Sequence, residues 1–198
     1  MNPGATSERV FDALKRDILS GNVAPGQKLE PAALAERVNS SVTPVRDALH
    51  RLAGEGLVEM RASDGFHLPF VTEPGLRDLY SWNAELLRML VHAWPKRRAP
   101  IKADALPADI GRATATFFEL FAGSSSNREH VHQVEIANDR LATARIAERR
   151  AFPNLEAELR AMAAAFDNDG PADLLKLVAA YHRRRLRATP AIVRALYE

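Results

Sequence analysis

Hydrophobic residues in the first third of the chain recur at the spacing of α-helices. A first stripe ends at Ser20-Gly21 and consists of Val10, Leu14, Ile18 and Leu19. The stretch from Pro31 to Val58 continues the periodicity with two more helices, about 32–38 and 43–54, because apolar residues three and four apart share one face of a helix. The polar segment Asn39-Ser40-Ser41 separates these two helices. The pattern therefore predicts three helices before residue 55.

The third predicted helix has the start signals of a helix that follows a tight turn. Thr43 offers a side-chain oxygen as N-cap, and Pro44 would occupy the first helical position, where its missing N–H costs nothing. Two short helices joined by a polar turn of about three to four residues are typical of a helix-turn-helix. An ordinary helical hairpin in a core has the same pattern, so the helix pair alone leaves both interpretations open.

Alternation of apolar and polar residues follows the helix pair. Gly56–Arg61 and Phe66–Val71 each alternate like a β-strand, and Ala62–Gly65 between them contains Asp-Gly, a strong turn signal. A helix-turn-helix followed by a two-stranded ribbon is a winged helix. In that arrangement the second helix of the motif can enter the major groove while the ribbon tip lies along the DNA backbone or the minor groove. This context favours DNA binding over a plain helical hairpin.

From Thr72 onward only helical periodicity is found. Helices are predicted over about 73–93, 108–121, 128–150, 154–166, 172–187 and 191–197, with Thr189-Pro190 as the start of the last one. The basic run Lys96-Arg97-Arg98 is expected to be a solvated linker. The sequence therefore predicts a mostly α fold. Residues 1–71 would form a winged helix-turn-helix DNA-binding domain, and residues 72–198 an antiparallel bundle of about six helices.

Composition narrows the class of protein without identifying a function. The 198 residues carry a formal net charge of +2 and no cysteine, and 46% of them are hydrophobic, which is ordinary for a globular protein. Without cysteine there are no disulfides and no thiol chemistry, which fits a reducing cytoplasm. The polar N-terminus does not resemble a signal peptide, and no apolar run is long enough to span a membrane. A cytoplasmic protein is therefore expected.

The charge of the predicted DNA-binding segment does not by itself support DNA binding. Residues 1–71 contain eight basic and nine acidic side chains, so the segment is not basic overall. The hypothesis depends instead on the order of the motifs and on one face of the domain. We expect that face to be locally positive through Arg9, Lys28, Arg46 and Arg51.

Several short motifs follow one another over about residues 7–71 in a fixed order. After the first apolar stripe come Val23–Leu29, Leu34-Ala35-Glu36, Ser41–Leu49 and Arg51-Leu52 through Val58. This series resembles the DNA-binding domain of the GntR family of bacterial transcription regulators. The resemblance implies a winged helix that dimerises and binds a palindromic operator in double-stranded DNA. The chain departs from the family at Val42, where an arginine is common, and at Ala32 or Ala33, where another often stands.

The resemblance also suggests which residues contact DNA. Arg46, on the second helix of the motif, is expected to contact a guanine or a phosphate. Ser41 and Thr43 are expected to contact phosphates, and Gly65 to let the ribbon tip approach the backbone closely. The predicted set is completed by Lys28 and His50. A homodimer would place two such helices in successive major grooves, as a repressor controlled by a small metabolite.

The helical segment carries a weaker likeness. It consists of Asp78-Leu79-Tyr80, Ile136–Leu141, and Asp169 followed thirteen residues later by His182. These motifs resemble the FCD-type effector domain that accompanies the GntR winged helix in one large subfamily. The resemblance implies that this domain forms the main dimer contact. It also implies a small-molecule effector, a carboxylate or similar metabolite, often bound at a divalent metal.

The metal ligands of that subfamily are mostly missing from this chain. No Asp-x-x-x-His occurs, and only His182 matches the pattern. His132 and Glu135, together with His182, would make a weak substitute site. We therefore predict no firmly held metal, with a divalent metal left as an open alternative. His182 could instead be a polar residue at the rim of the bundle, beside a solvated run of Arg183, Arg184, Arg185 and Arg187.

The predicted effector site consists of Asn138, Arg145 and His182. Asn138 and Arg145 are seven residues apart on the predicted buried side of a helix, where an arginine can bind a carboxylate with two hydrogen bonds or pair with a structural glutamate. Trp82 and Trp94 are predicted to lie in the core or at the dimer interface.

Two other functional classes remain open. In one, the helical domain no longer senses a small molecule and serves dimerisation or protein contact. The other is an enzyme, which the sequence disfavours because it has no nucleophile motif, phosphate-binding loop or His-Glu-x-x-His.

Overall fold

The computed structural model describes residues 3–94 and 99–198, and it divides into two compact units, Met1–Val71 and Thr72–Glu198. In the first helix, side chains are described from residue 7 onward. The basic run Lys96-Arg97-Arg98, predicted to be a linker, lies outside the described residues. None of the described helices is long and apolar enough to cross a membrane.

The first unit is a winged helix, as the alternation and turn signals predicted. Its order is α1 (Pro3–Leu19), β1 (Lys28–Leu29), α2 (Pro31–Arg37), α3 (Val42–Gly54), β2 (Glu59–Arg61) and β3 (Gly65–His67). The strands form an antiparallel sheet in the order β1-β3-β2, with Leu29 and Met60 both opposite Phe66. Helix α1 packs across α3. The core that these elements share includes Val10, Leu14, Val45, Leu49 and Leu52.

A left-handed residue closes the turn between α2 and α3. Asn39 has a φ of 48°, and the N–H groups of Asn39 and Ser40 donate back to the carbonyls of Glu36 and Ala35. This pair of bonds satisfies the last carbonyls of α2, and asparagine is one of the few residues that adopt the left-handed conformation readily. The polar break seen in the sequence therefore produces a sharp, defined turn.

Helix α3 begins two residues earlier than predicted. The assignment of Thr43 as N-cap is wrong, because Ser41 is the extended N-cap residue (φ −85°, ψ 165°) and Val42 is the first helical residue. Pro44 consequently lies at the third helical position. It is tolerated there because the first N–H groups of a helix have no intrahelical partner in any case.

The two predicted strands are shorter than expected, and the sheet contains a third strand that was not predicted. Strands β2 and β3 have three residues each: β2 lies within the alternating segment 56–61, and β3 begins at Gly65, one residue before the alternating segment 66–71. Strand β1 pairs with β3 and was not predicted, because two residues are too few for alternation to be recognised.

The second unit is a bundle of six α-helices within the described part of residues 72–198. They are α4 (Glu73–His92), α5 (Ile110–Gly123), α6 (Arg128–Arg140), α7 (Ala142–Ala151), α8 (Leu155–Asp167) and α9 (Pro171–Tyr197), and a short 3-10 turn at Ala103–Ala105 precedes α5. Helix α9 packs along α4, α7 and α8. The core is rich in aromatic side chains, among them Phe117, Phe118, Phe121, Phe166 and Tyr181. The predicted architecture of a winged helix plus a helical bundle is confirmed.

Two helix boundaries inside the bundle were predicted wrongly. The expected helix 128–150 is broken at Leu141 into α6 and α7. The expected start of a new helix at Thr189-Pro190 is absent, because α9 continues through Pro190 to Tyr197. Proline removes the N–H that would bond to Leu186, and the Thr189 hydroxyl donates to that carbonyl instead at 3.2 Å. The freed carbonyl is thereby satisfied and the helix does not end.

Candidate nucleic-acid interface

Helix α3 buries one side and exposes the other. Its buried residues are Val45, Ala48, Leu49 and Leu52, and its exposed residues include Val42, Thr43, Arg46, Asp47 and His50. Within the described part of the chain, Arg46 makes no hydrogen bond, ion pair or ring contact. Its guanidinium is therefore available to bind another molecule. This is the position at which the sequence predicted the main DNA contact.

The other predicted cations of this face are already engaged within the unit. Arg51 pairs with Glu8 at 3.0 Å and lies over the Phe11 ring, 3.9 Å from its centre. The guanidinium of Arg9 donates to the carbonyls of Val38 and Asn39, at 3.0 and 3.3 Å, and so braces the turn between α2 and α3. The prediction of a face made positive by four cations is therefore wrong for Arg51, whose charge is offset by Glu8, whereas Arg9 keeps its charge but has its guanidinium held at two carbonyls.

The N-terminus of α3 has no side-chain cap. The Ser41 side chain makes no cap hydrogen bond, so the first N–H groups of the helix, those of Val42 and Thr43, can donate to an external acceptor; Pro44 has no N–H. Such amides, together with the helix dipole, bind phosphate groups at many helix N-termini. Thr43 is exposed in the same turn. The predicted roles of Ser41 and Thr43 as phosphate contacts remain predictions that this geometry permits.

The wing tip follows strand β2 in a short exposed turn. Gly65 has a φ of 84°, and a Cβ at that position would meet only the Lys28 side chain, at 3.9 Å. The backbone conformation, rather than crowding, therefore favours glycine there. Lys28 pairs with Glu30 at 3.1 Å and with Asp64 at 3.4 Å, so its charge is shared with two carboxylates. These neighbours raise the pKa of the Lys28 ammonium, chiefly through the hydrogen bond to Glu30.

His50 joins the exposed side of α3 to the wing. Its ring lies edge-on to Phe66 of β3, with the ring centroids 5.0 Å apart. The wing also holds a buried histidine, His67, whose Nε2 lies 3.1 Å from an Asp64 carboxylate oxygen. The predicted DNA-binding residues thus lie on α3 and on the wing of one unit. Arg46 is the cation among them whose charge is not shared with a neighbouring carboxylate.

In the helical unit, two of the three predicted effector-binding residues lie together. Arg145 is 2% exposed and donates to Asn138 twice, to its backbone oxygen at 3.3 Å and to its Oδ1 at 2.8 Å. Asn138 is in the last turn of α6, whose carbonyls lack partners within that helix, so the guanidinium satisfies one of them. The Asn138 amide in turn donates to Glu119 at 3.1 Å. Burial raises the pKa of the Glu119 carboxyl.

Arg145 is a buried cation without a carboxylate ion pair in the described residues, and its Nε has no hydrogen-bond partner. The hydroxyl of Tyr181 is also buried and unpaired. The sequence analysis left open that Arg145 pairs with a structural glutamate; within the described residues, no glutamate bonds to Arg145 directly.

His182, the third predicted effector residue, lies apart from this pair and is not at the rim of the bundle. It is 2% exposed, its Nδ1 lies 2.7 Å from the Val178 carbonyl, and its Nε2 lies 2.9 Å from Oδ1 of Asn83. Burial lowers the pKa of His182 to about 4, so the ring is neutral at pH 7. Nδ1–H then donates to Val178 and Nε2 must accept. This requires the Asn83 amide nitrogen, which is otherwise unpaired, to face Nε2.

His182 also borders an open groove of about 200 Å³ between α4 and α9. The floor of this groove is mainly apolar, and its lining includes Leu175, Val178, Ala179 and Leu186.

The sequence analysis predicted that the arginine run of α9 is a solvated face. The structure contradicts this for Arg185. Arg185 is 1% exposed, and it bonds to Glu148 of α7 at 2.8 Å and to Glu158 of α8 at 2.8 Å. Tyr80 of α4 donates to the other Glu148 oxygen at 2.6 Å. Burial opposes the charge on Arg185, but Tyr181 and these carboxylates outweigh it and raise its pKa. This network therefore ties four helices together.

Sequence reasoning missed this network, although a signal was present. The buried positions of α9 are Leu174, Val178, Tyr181, His182, Arg185, Thr189 and Ile192. Their spacing of three and four residues puts Arg185 in phase with the apolar stripe. Periodicity could therefore have identified it, had the neighbouring arginines not made the whole run look exposed.

The weak metal candidates are not brought together. His132 and Glu135 are exposed on α6, whereas His182 is buried against Asn83. Among the residues that the structure describes, no three side chains of histidine, cysteine, aspartate or glutamate form a group that could hold a metal ion.

Residues 6–68 match the family model described as "Bacterial regulatory proteins, gntR family". The HTH-type transcriptional repressor GlaR of Escherichia coli (strain K12) is 36% identical over 78 residues, which are 39% of this chain and 36% of that protein. The HTH-type transcriptional repressor RspR of the same organism is 29% identical over 93 residues, 47% of this chain and 39% of that protein. The chain thus aligns with well under half of the length of these two relatives.

Longer matches extend into the helical unit. The HTH-type transcriptional regulator YdhC of Bacillus subtilis (strain 168) is 24% identical over 152 residues, 69% of this chain and 68% of that protein. A crystal structure of a GntR transcriptional regulator from Rhodococcus sp. RHA1 has a TM-score of 0.81 at 14% identity, covering 94% of this chain and 98% of that one. The structure of Escherichia coli McbR/YncC has a TM-score of 0.72 at 17% identity, covering 93% and 97%. At these identities the two structures show a shared fold.

Proposed function

We propose, from the premise that residues 6–68 form a winged helix-turn-helix domain of the gntR family, that the chain is a DNA-binding transcription regulator. A homodimer would present two α3 helices to successive major grooves of a palindromic operator in double-stranded DNA. Two of the relatives are named repressors, so repression is the proposed outcome. We propose a cytoplasmic location, where such a regulator meets its DNA.

The observation that carries the proposal is the unpaired guanidinium of Arg46 on the exposed side of α3. An arginine on a recognition helix can donate two hydrogen bonds to O6 and N7 of a guanine, which is the most common specific contact to DNA. The charges of Arg51 and Lys28 are shared with carboxylates of the same unit. Of these three cations of the predicted face, Arg46 therefore has the greatest capacity to bind an external partner, and the uncapped amides at the start of α3 would hold the adjoining phosphate.

Selection of random duplex DNA by the full-length protein, at near-physiological salt, tests this proposal. The protein is expected to enrich a two-fold-symmetric site, and Arg46→Ala is expected to lose that enrichment. Arg16→Ala is the matched control, because Arg16 is an exposed arginine on the outer side of α1 and its removal changes the net charge equally. Retained enrichment by Arg46→Ala, or equal loss in both variants, would contradict the role given to Arg46.

The proposed effector is a small carboxylate that binds near Arg145 in the helical unit. The support is electrostatic: within the part of the chain that the structure describes, the hydrogen-bond acceptors of this buried guanidinium are the neutral oxygens of Asn138, its ring neighbour is Phe118, and its Nε is unpaired. A carboxylate would supply both the missing charge and the missing acceptor. The Tyr181 hydroxyl is a second unpaired group in the same core. His182 is less suited to this role, because both of its ring nitrogens are engaged.

Thermal unfolding with a series of small carboxylates tests the effector site. A carboxylate that binds the folded state should raise the Tm by roughly 5–10 °C at a hundredfold excess over its Kd. Arg145→Lys keeps the charge but loses the planar two-donor geometry, so it should abolish the shift. Arg149→Lys, an exposed position on the same helix, is the control. Equal shifts in both variants would place the carboxylate elsewhere.

The alternative proposal is a DNA-binding dimer whose helical unit senses no small molecule. It is favoured by the way Asn138 and Arg145 bond to each other and by the engagement of both ring nitrogens of His182 with other residues of the chain. In that case no metabolite would shift the Tm, and the helical unit would serve dimerisation or protein contact. It would then resemble an FCD-type domain that no longer binds an effector.

A further inference from the structure

Val42 is a partly exposed apolar side chain at the start of α3. It is the first residue of the helix and is 39% exposed, although valine is one of the residue types most often buried. Four residues further on, Arg46 is exposed on the same flank, since residues at i and i+4 lie one above the other on a helix. An apolar group and a free cation thus lie side by side.

The position of Val42 matters because recognition helices contact base edges with their N-terminal residues. Four residues of helix rise about 6 Å, and base pairs stack about 3.4 Å apart, so Val42 and Arg46 would reach bases within about two steps of each other. This step rests on the proposed function, namely that α3 enters the major groove.

The chemistry of valine restricts what it can read. It has no donor or acceptor, so it cannot use the hydrogen-bonding pattern of a base edge. The apolar group that the major groove presents is the C5-methyl of thymine. Valine in a helix has one strongly preferred χ1 rotamer, so holding its methyl groups against that thymine costs little side-chain entropy.

We propose that Val42 is a specificity-determining residue that contacts the C5-methyl group of a thymine. This thymine would lie in each half-site, within about two base pairs of the base contacted by Arg46. Val42 therefore favours thymine by contact with its methyl group, whereas Arg46 supplies a hydrogen-bonded or ionic contact.

Replacement of thymine by uracil in the selected operator tests this contact, because it removes the methyl group and keeps the base pair. Each thymine is replaced in turn and the affinity is measured for the wild type, Val42→Ala and Val42→Thr. One replacement per half-site should weaken wild-type binding about three- to fivefold, the effect of one buried methyl group. Val42→Ala should bind the thymine and uracil duplexes equally. Val42→Thr, which keeps one methyl group, should remain sensitive.

The outcomes separate this inference from the proposed function. If a symmetric site is selected but no uracil replacement affects the wild type, or if the sensitivity is the same in Val42→Ala, the contact to thymine is refuted and the regulator remains. If no specific site is selected at all, the proposed function fails and this inference fails with it. Thermal unfolding monitored by circular dichroism should change little in both variants, because Val42 is 39% exposed and is not part of the core of the unit.

Discussion

Replacing His182 by glutamine should remove much of the acid sensitivity of the helical unit. In the folded protein, burial lowers the pKa of this imidazole from 6.5 to about 4. Between these two values the ring is neutral when folded and protonated when unfolded. The unfolded state then binds more protons, so the free energy of unfolding decreases as the pH falls through this window. The contribution of His182 is fully present above pH 6.5 and lost below about pH 4.

The magnitude follows from the difference between the two pKa values. At about 1.4 kcal/mol per unit, the shift from 6.5 to about 4 corresponds to about 3 kcal/mol in total, of which about 2 kcal/mol is lost between pH 7 and pH 5. Arg145 and Arg185 add smaller electrostatic contributions to the shift. Both guanidinium groups stay charged throughout this window, so the slope belongs to the histidine itself.

Urea unfolding followed by tryptophan fluorescence measures this effect in the right unit. Both tryptophans of the chain, Trp82 and Trp94, belong to the helical unit. His182→Gln should be less stable at pH 7, since the Val178 and Asn83 contacts change, but it should lose about 2 kcal/mol less than the wild type between pH 7 and pH 5. His132→Gln, an exposed position, should keep the wild-type slope. Identical slopes for wild type and His182→Gln would refute the reasoning.

Two further predictions concern stability. Arg185→Ala should destabilise the helical unit by about 3–5 kcal/mol in urea unfolding, because it leaves a buried carboxylate uncompensated. Arg184→Ala, at a half-buried position, should cost about 1 kcal/mol or less. Similar losses in the two variants would show that burial does not decide the effect. Gly26→Ala should lower the Tm of the winged helix, since φ is +83° and the new Cβ would lie 2.3 Å from the Phe70 ring. Gly54→Ala, where no atom lies within 4 Å, should be neutral or stabilising by up to about 1 kcal/mol, and a Tm loss there equal to that of Gly26→Ala would contradict the argument.

The winged helix could be predicted from the sequence because its signals are local. The alternation around Asp64-Gly65 and the polar break at Asn39 each lie within a few residues of the structure that they specify. By contrast, the pairing of Arg51 with Glu8 joins residues 43 positions apart, and a count of charges cannot reveal it. The predicted positive face therefore included cations that the fold had already neutralised.

The helical unit was harder to predict because tertiary contacts override local signals there. Proline normally ends a helix, yet α9 continues through Pro190 because the Thr189 hydroxyl bonds to the freed carbonyl. Arg185 looks like one member of an exposed basic run until Glu148 and Glu158, from two other helices, are brought next to it. Periodicity puts Arg185 in phase with the buried positions of α9, but neither partner is adjacent to it in the sequence, so the ion pairs themselves were not visible there.

The measurement that tests the central claim most directly is a titration of the selected operator with wild type and Arg46→Ala over a range of salt concentrations. If Arg46 reads a guanine, the variant should lose about 1–3 kcal/mol of binding free energy and much of its discrimination against an operator with that base changed. If Arg46 binds a phosphate, the variant should lose affinity for all DNA sequences. The slope of log affinity against log salt concentration should then decrease in magnitude by about one. Unchanged affinity for the operator at every salt concentration would contradict the account, because Arg46 would then contact neither a base nor a phosphate.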